Sequence, residues 1–397
     1  MAKIFKSKYP ARYWQLCIGA LLFFLSFNMI LPELPDHLER IGGKQYLGWI
    51  IGLFALGALV ARPFSGWITD RYGRRWSILG GTAMCIVASC LYPFASFLSL
   101  FFVARAAHGF FTGFAPTGFT AYTTDIIPVE RRGEALGWQG MFSNIGASLG
   151  FALGAWVVSK IGQNGLYWVA AGIGIMAVAL FSTLPETRPE FQHPPKFVLR
   201  EVLYFKVWKP ALLMLLICIP IGGILLVMPS YSLACGFENK GVYLTIYIVA
   251  SLFVRIFSGK LSDKLGRPYS TAIGSFMQII AMVILAISAT QTSLILSAVF
   301  YGIGQGFNAP GLFAWAGDDS ETNTRGRALS MLFIALELGI FIGGLFAGHL
   351  YQISVQNIHV LFIFWACIST LGLLFSLLFI HHHQRNKATL FSDISEI

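Results

Sequence analysis

The sequence predicts an all-α membrane protein with twelve transmembrane helices, arranged as two pseudo-symmetric six-helix bundles. Three observations lead to this fold class. The first is composition, because only 12% of the 397 residues are charged, 56% are apolar and the mean hydropathy is +0.69. A soluble chain carries about 25% charged residues. Most of the surface of this protein must therefore face hydrocarbon rather than water.

The second observation is the number of apolar segments. A helix needs about 20 mostly apolar residues to cross a bilayer, and twelve segments meet this requirement. In chain order, segments 1 to 12 are 13–34, 46–68, 76–96, 98–121, 134–158, 164–184, 209–231, 241–260, 269–289, 291–316, 327–350 and 357–380. Segment 1 is too long for the apolar core of a signal peptide. We therefore expect it to remain in the protein as a transmembrane helix.

The third observation is an internal repeat at a spacing of 193 residues. The stretches 61–75 and 254–268 align without gaps. Their identities are Arg62/Arg255, Phe64/Phe257, Ser65/Ser258, Gly66/Gly259, Asp70/Asp263, Gly73/Gly266 and Arg74/Arg267. The same spacing aligns Asp125 with Asp318. Because an internal repeat determines architecture, the two halves are expected to share one fold.

Loop lengths and charges predict the domain boundaries and the orientation. The loops are short except for a proline-rich, charged stretch after segment 6. We predict a first bundle at 1–184, a linker at 185–208, a second bundle at 209–381 and a tail at 382–397. Lys and Arg concentrate in the loops on the side of the N-terminus, which places both termini and the linker in the cytoplasm. A bacterial inner (plasma) membrane is the expected location.

The composition also excludes several classes of function. The net charge of +10 lies in short loops, which fits an orientation signal better than a nucleic-acid groove. The six cysteines form no C-x-x-C pair, so neither a disulfide framework nor a metal site is expected. The sequence has no metalloprotease motif, serine elbow or paired intramembrane aspartates. We therefore expect no enzyme activity and no cofactor, and a monomeric protein.

The repeated block resembles the loop motif that follows the second span in the major facilitator superfamily, Gly-x-x-x-Asp-Arg-x-Gly-Arg-Arg/Lys. Here the motif occupies 66–75, and a shortened copy begins at Gly259. The resemblance covers the whole chain: twelve segments, a central linker, and both copies at the matching places. It implies a carrier for a small-molecule substrate that works by alternating access, in which two halves rock about a central site.

Three further blocks are similar to the twelve-span drug:proton antiporter branch of that superfamily. They are 32–35 at the end of segment 1, 105–109 in segment 4 and 146–154 in segment 5, where Phe151 replaces the proline of the antiporter motif. The resemblance implies that the protein exports a small amphipathic molecule or drug in exchange for protons. The alternative is export or import of a polar metabolite, such as a siderophore, a sugar or an amino-acid derivative.

Several polar residues lie inside apolar segments, where polar groups are costly and often functional. Glu337 lies about ten residues into segment 11, roughly 15 Å deep, and is a candidate proton or cation site. A structural carboxyl bonded across helices is the alternative. Arg105 and His108 share one face of segment 4, and Arg105 requires Glu33, Asp36 or a backbone carbonyl as its partner. The other candidate site residues are Asn28, Asn144, Gln305 and Asn308.

The repeated loops are the expected conformational latch. Asp70 and Asp263 lie where a helix ends in a tight turn, and Gly73 and Gly266 permit backbone angles that other residues resist. The resemblance implies that these loops hold the halves together on the cytoplasmic side in the outward-open state. Arginines near the inner ends of segments 5 and 11 are candidate partners. The latch residues are Gly66, Asp70, Arg71, Gly73, Arg74, Arg132, Asp263, Gly266, Arg267 and Arg325.

The remaining features allow more than one interpretation. Glu33 and Asp36 lie near the outer end of segment 1, either as an interfacial end-cap or as a site of proton entry or substrate capture. Arg62 and Arg255 can reach the inner interface and are interpreted as structural. Glycines at four-residue spacing predict close packing between the two halves. These rows are Gly109/Gly113, Gly146/Gly150/Gly154, Gly302/Gly306 and Gly339/Gly343.

Overall fold

The computed structural model describes residues 9–128, 131–187, 204–320, 325–353 and 358–395, with the side chains of 133, 325, 326, 351–353 and 382–395 outside that description. Within these ranges the regular structure is helical and contains no strand. Each of the twelve predicted segments corresponds to helical structure. The predicted all-α membrane fold is therefore confirmed. The boundaries of the linker stay a prediction, since 188–203 lie outside the described residues.

The described part of the first half contains seven helices. They are α1 (Ala11–Ile30), α2 (Leu34–Arg40), α3 (Gly48–Tyr72), α4 (Arg74–Leu91), α5 (Leu98–Thr112), α6 (Ala115–Ile126) and α7 (Arg132–Ser182). Segment 1 continues from α1 into α2, and segment 4 is formed by α5 and α6. The long α7 contains both segment 5 and segment 6, because its backbone leaves the helical region at Gly162, where φ is 74°.

The second half contains six helices in its described part. They are α8 (Trp208–Ala234), α9 (Val242–Leu265), α10 (Arg267–Ile287), α11 (Gln291–Asp318), α12 (Arg325–Ile353) and α13 (Ile358–Ser395). Ten stretches of the described chain are long and apolar enough to cross a membrane, and one of them, Glu134–Ser182, contains two segments. The 28-residue α11 supplies the remaining segment.

The helix boundaries reproduce the repeat seen in the sequence. α4 and α10 begin 193 residues apart, and so do α5 and α11, and α7 and α12. α3 and α9 end at the same spacing, each at a glycine with positive φ, Gly73 at 119° and Gly266 at 104°. A residue with a Cβ is strained in this conformation. The expected special backbone angles at both glycines are therefore confirmed.

The glycine rows lie within each half rather than between the halves, so the predicted placement is wrong. A Cβ at Gly150 would lie 2.8 Å from the carbonyl oxygen of Leu25 in α1, and one at Gly339 would lie 2.6 Å from that of Leu215 in α8. These rows let neighbouring helices of one bundle approach closely. At the interface between the halves, Gly48 of α3 takes this role. A Cβ there would lie 2.9 Å from the carbonyl oxygen of Gly344 in α12.

The two halves contact each other through α3 with α12 and through α7 with α9. We call the end of the bundles that contains Gly48 and Lys240 the outer end, following the predicted orientation. The recorded polar contacts between the halves extend from the middle of α3 to this outer end. At the outer end, for example, Nδ2 of Asn239 donates to the carbonyl oxygen of Ala152 at 2.8 Å. The described structure is therefore closed at its outer end.

Candidate functional site

A cavity of about 90 Å³ lies between the two halves, with walls from α1, α3, α5, α8 and α12. Its lining residues are Phe27, Asn28, Leu31, Ile51, Phe54, Arg105, Leu225, Glu337 and Ile340. Its three polar lining residues, Asn28, Arg105 and Glu337, are all candidates from the sequence. Sites for small organic ligands usually enclose about 300–1,000 Å³. This cavity therefore accommodates one end of such a ligand.

Glu337 of α12 forms an ion pair with Arg62 of α3 and so joins the two halves. Nη2 of Arg62 donates to Oε1 of Glu337 at 2.8 Å, and the two side chains are only 11% and 7% exposed. The guanidinium of Arg62 also lies 4.4 Å from the ring centroid of Phe333, a cation–π contact. Removing one partner of a buried pair costs about 3–5 kcal/mol, because the other charge is left uncompensated.

Arg62 has a partner that the sequence analysis did not anticipate. Instead of reaching the inner interface, its side chain binds a carboxylate of the other half, and its interpretation as a structural residue stays a prediction. The repeat contained a usable signal. It aligns Arg62 with Arg255, and Glu337 with Asn144. An acid is thus present in one half where the other half has an amide. Among the described residues, the recorded partner of Arg255 is Oγ of Ser251, at 3.4 Å.

Arg105 of α5 is 3% exposed and has neutral partners. Its Nε donates to the carbonyl oxygen of Ile50 at 2.9 Å, and its Nη1 donates to the hydroxyl of Tyr92 at 3.4 Å. The guanidinium lies 4.6 Å from the ring centroid of Phe54. Of the partners expected from the sequence, the structure has the backbone carbonyl. Among the described residues, no acidic side chain pairs with Arg105, so this cavity wall is positively charged.

Asn28 and His108 occupy different layers around the cavity. Asn28 lines it, and its Nδ2 donates to the carbonyl oxygen of Phe24 at 2.7 Å. His108 lies behind the lining, with its ring in edge contact with Phe27 and Phe54. Its Nδ1 lies 3.4 Å from the hydroxyl of Tyr92, the same hydroxyl that Arg105 contacts. His108 is therefore next to the site but is not part of the cavity wall.

The other three candidate residues lie away from this lining. Nδ2 of Asn144 donates at 2.9 Å to a carbonyl oxygen one turn earlier in its own helix. Nε2 of Gln305 donates to the hydroxyl of Tyr301 at 3.2 Å. Asn308 is fully buried between α11 and Gly274 of α10. The structure thus does not bring these residues together with Glu337 at this cavity.

Glu33 and Asp36 form an ion-paired cluster with Lys240 at the outer end. Nζ of Lys240 donates to Oε2 of Glu33 at 3.0 Å and also to Oδ2 of Asp36. Burial alone would lower the pKa of Lys240, but its bond to Asp36 and the charge of Glu33 raise the pKa above its ordinary value of 10.5. Since Lys240 lies between α8 and α9, this cluster joins the two halves. A single loop lysine gave no sequence pattern that could have indicated it.

The latch block forms the same three-residue bridge in each half. In the first half, Arg74 donates from Nη1 to Asp70 at 2.8 Å and from Nε to Asp125 at 2.9 Å. In the second half, the bridge consists of Asp263, Arg267 and Asp318, at 2.5 and 2.7 Å. Each bridge ties the turn between two helices to a third helix of its own half. Asp70 thus pairs with the arginine of its own turn rather than with Arg132.

Two of the remaining latch residues, Arg132 and Arg71, have recorded contacts within their own half. Nε of Arg132 donates to the carbonyl oxygen of Ile127 at 3.2 Å, and a Cβ at Gly66 would meet nothing within 4 Å. The guanidinium of Arg71 lies 5.4 Å from the ring centroid of Trp67. The side chain of Arg325 lies outside the described residues. A latch between the halves therefore stays a prediction.

Glu186, at the start of the predicted linker, caps the first-half turn. Its Oε1 accepts a hydrogen bond from the backbone nitrogen of Arg74 at 2.8 Å, and its Oε2 accepts one from that of Arg75 at 3.2 Å. A carboxylate is favourable at the N-terminus of a helix such as α4. This contact fixes the end of segment 6 to the latch turn, and the sequence analysis did not anticipate it.

The fold and this site define a polytopic membrane carrier built from two repeated halves, with buried charges at a cavity between them. The family model of the Major Facilitator Superfamily matches residues 16–320 and 239–393. The chain therefore belongs to this superfamily of membrane transporters, and the expected class, a transporter rather than an enzyme, agrees with it.

Two relatives and one solved structure illustrate the similarity. The staphylopine export protein of Staphylococcus aureus is 25% identical over 352 residues, covering 85% of this chain and 88% of its own. The quinolone resistance protein NorA of the same species is 23% identical, covering 84% and 88%. The crystal structure of the human organic anion transporter has a TM-score of 0.75 at 17% identity, covering 93% of this chain and all of its own. That last likeness supports the fold alone.

Proposed function

We propose that this protein exports a small amphipathic molecule in exchange for protons, by alternating access, with Glu337 as the proton-carrying group. The observation that supports this most strongly is the Arg62–Glu337 ion pair across the two halves at the cavity wall. A proton and Arg62 both bind the same carboxylate. Protonation therefore acts on a contact that holds the two halves together.

The pair explains how the empty carrier is kept from reorienting. When Glu337 is ionised, the charge-assisted bond to Arg62 holds α3 against α12. A proton on the carboxylate removes its charge and weakens that bond. A cationic group of the substrate at the same carboxylate acts in the same sense. Reorientation then requires either a proton or a substrate, which is the condition for exchange of one for the other.

The direction of transport and the location are part of the proposal. Both relatives named above are export or resistance proteins by name, which supports efflux through a bacterial plasma membrane. The asymmetry of Lys and Arg in the loops supports cytoplasmic termini. We expect the carrier to function as a monomer.

The test is transport in proteoliposomes with an imposed pH gradient and a panel of dyes. The wild type should accumulate a substrate against its gradient. Glu337→Gln should abolish this uphill transport, because glutamine carries no titratable proton, while binding of a ligand that lacks an amine is retained. Asn144→Ala is the matched control, since this residue occupies the equivalent position in the first half and lies off the cavity. Uphill transport by Glu337→Gln at the wild-type rate would remove Glu337 from the mechanism.

Export or import of a polar metabolite is the second candidate function. The polar cavity residues Asn28 and Arg105 favour it, because an apolar drug does not need them. The same vesicles, loaded with siderophores, sugars or amino-acid derivatives, distinguish the two candidates. Movement of these compounds, without movement of any apolar dye, would support the metabolite carrier.

A further inference from the structure

We propose that the cavity binds an amphoteric substrate, a molecule that carries a carboxylate and an amine on an apolar or aromatic body. The carboxylate pairs with Arg105, and the amine pairs with Glu337. This inference rests on the proton exchange proposed above and names the class of substrate for it.

The first argument is the charge of Arg105. An unpaired guanidinium inside a membrane protein is costly, and both recorded hydrogen bonds of Arg105 go to neutral oxygens. Its Nη2 has no hydrogen-bond partner among the described residues. A guanidinium presents donors in a planar fork that matches the two oxygens of a carboxylate. A carboxylate entering the cavity therefore supplies the charge that the fold does not.

The second argument comes from the requirement of exchange. An anion alone next to Glu337 would bring two negative charges together and would favour proton binding to Glu337. Substrate and proton would then bind together and move in the same direction. Exchange requires the opposite, namely that the substrate excludes the proton. An amine at Glu337 does this, because an ammonium group and a proton compete for one carboxylate.

Glu337 has room for this second partner. Arg62 binds Oε1, and the structure records no partner for Oε2 among the described residues. The charged and titratable groups around Glu337 are Arg62 from α3, Arg105 across the cavity from α5, and the thiol of Cys218 from α8. Arginine stays charged at all physiological pH values. Competition between proton and amine is therefore centred on Glu337.

Apart from Asn28, the rest of the lining is apolar and selects the body of the molecule. It consists of Phe27, Leu31, Ile51, Phe54, Leu225 and Ile340. Since the cavity of about 90 Å³ is small, it holds the charged end of the substrate and the first part of its apolar body.

The experiment uses three fluorescent probes that differ only in charge. They are Nε-dansyl-lysine, its methyl ester, which lacks the carboxylate, and its Nα-acetyl derivative, which lacks the amine. Binding to the purified full-length protein is followed by dansyl fluorescence. The wild type should bind dansyl-lysine at least about tenfold more tightly than either derivative, the effect of one charged hydrogen bond. Equal affinity for dansyl-lysine and its ester, or absence of dansyl-lysine binding at millimolar concentration, overturns the proposal.

Two variants assign each charge to its residue. Arg105→Gln should lose the preference for dansyl-lysine over the ester while it binds the ester like the wild type, which also shows that the variant folds. Glu337→Gln should lose the preference for dansyl-lysine over the acetyl derivative. If Arg105→Gln weakens all three probes equally, the role of Arg105 is structural and the proposal fails.

The pH dependence of binding separates this proposal from the proposed exchange. Acidification from pH 8 to pH 6 should weaken binding of dansyl-lysine, because its amine competes with the proton for Glu337. It should strengthen binding of the acetyl derivative, because protonation of Glu337 removes the negative charge next to the carboxylate of that probe. Loss of probe selectivity in a protein that still performs pH-driven transport overturns the substrate class alone. Selective binding without pH-driven transport overturns the proposed exchange alone.

Discussion

The Arg62–Glu337 pair joins two side chains that are 275 positions apart in the chain. Each side chain alone would be a charge buried in the membrane, and together they compensate each other. Arg255 occupies the equivalent position in the second half, where its recorded partner in the described part of the chain is a serine hydroxyl at 3.4 Å. Within that part, the chain thus offers a matched comparison between an arginine with an acidic partner and one without.

We predict that the two partners are energetically coupled. Glu337→Gln leaves Arg62 buried and uncompensated, so it should destabilise the protein by about 3–5 kcal/mol. Adding Arg62→Met should recover a large part of this loss, because no unpaired charge remains. Thermal unfolding in detergent measures both. As a control, Arg255→Met and Glu337→Gln should be additive. Additivity of Arg62→Met with Glu337→Gln would contradict the energetic coupling of the two partners.

At the residue scale, the sequence selected Glu337 and Arg105, which line the cavity, but did not indicate how the charges pair. The depth of Glu337 and Arg105 in apolar segments was sufficient to select both as site residues. The partner of Glu337 depends on the rotation of α3 against α12, which hydropathy does not encode. Gln305 and Asn308 were selected by the same depth criterion. However, Gln305 bonds to a tyrosine of its own helix, and Asn308 packs against α10. Depth alone does not distinguish a cavity face from a packing face.

At the element scale, the repeated turns are preserved in detail. A positive-φ glycine and an arginine that bridges two aspartates occur in both halves at one spacing. These features were predictable, because they depend on local backbone geometry and on residues close in sequence. The bridging arginines pair within their own half, however, whereas the family resemblance implies contacts between the halves.

We predict that Asp70 acts mainly in the other conformation. In this structure Asp70 is 48% exposed, and Arg74 keeps Asp125 as a second partner. Asp70→Asn should therefore change the stability of the described state by less than about 1 kcal/mol. It should nevertheless shift the population towards the inward-open form, detected as faster labelling of cysteine probes in the inner cavity. Unchanged labelling would exclude the latch, and Asp263→Asn is the matched variant in the second half.

At the scale of the whole molecule, the halves meet at the outer end through the Lys240 cluster and through the α3–α12 and α7–α9 contacts. The twelve apolar segments, the repeat and the superfamily could all be predicted, because composition and spacing determine them. The state of the carrier could not, since one sequence folds into all states of the cycle. The contacts of Lys240 with Glu33 and Asp36 exist because the outer end is closed.

We predict that Lys240 stabilises this closure. Lys240→Gln leaves Glu33, which is 3% exposed, without its cationic partner. In a background without the native cysteines, a cysteine at position 51 in the cavity should then react several-fold faster with an impermeant thiol reagent added outside. Asp36→Asn should have a smaller effect, because Asp36 is 56% exposed. An unchanged reaction rate would contradict this gating role.

The charge of Lys240 should not make the closure sensitive to pH in the physiological range. Its raised pKa means that the charge is fully present below about 10.5 and is lost only as the pH rises through the raised value. Sensitivity to mild acid must therefore come from groups other than Lys240, and Glu337 is the carboxylate that joins the halves at the cavity.

The most direct test of the account is the distance between spin labels at positions 72 and 265, measured as a function of pH. These exposed positions are the symmetry-related inner ends of α3 and α9. Acidification should release the Arg62–Glu337 pair and populate shorter distances, as the inner end closes and the outer end opens. Glu337→Gln should show the acid-type distribution at every pH. An identical pH response in the wild type and in Glu337→Gln would contradict the claim that protonation of Glu337 controls the contact between the halves.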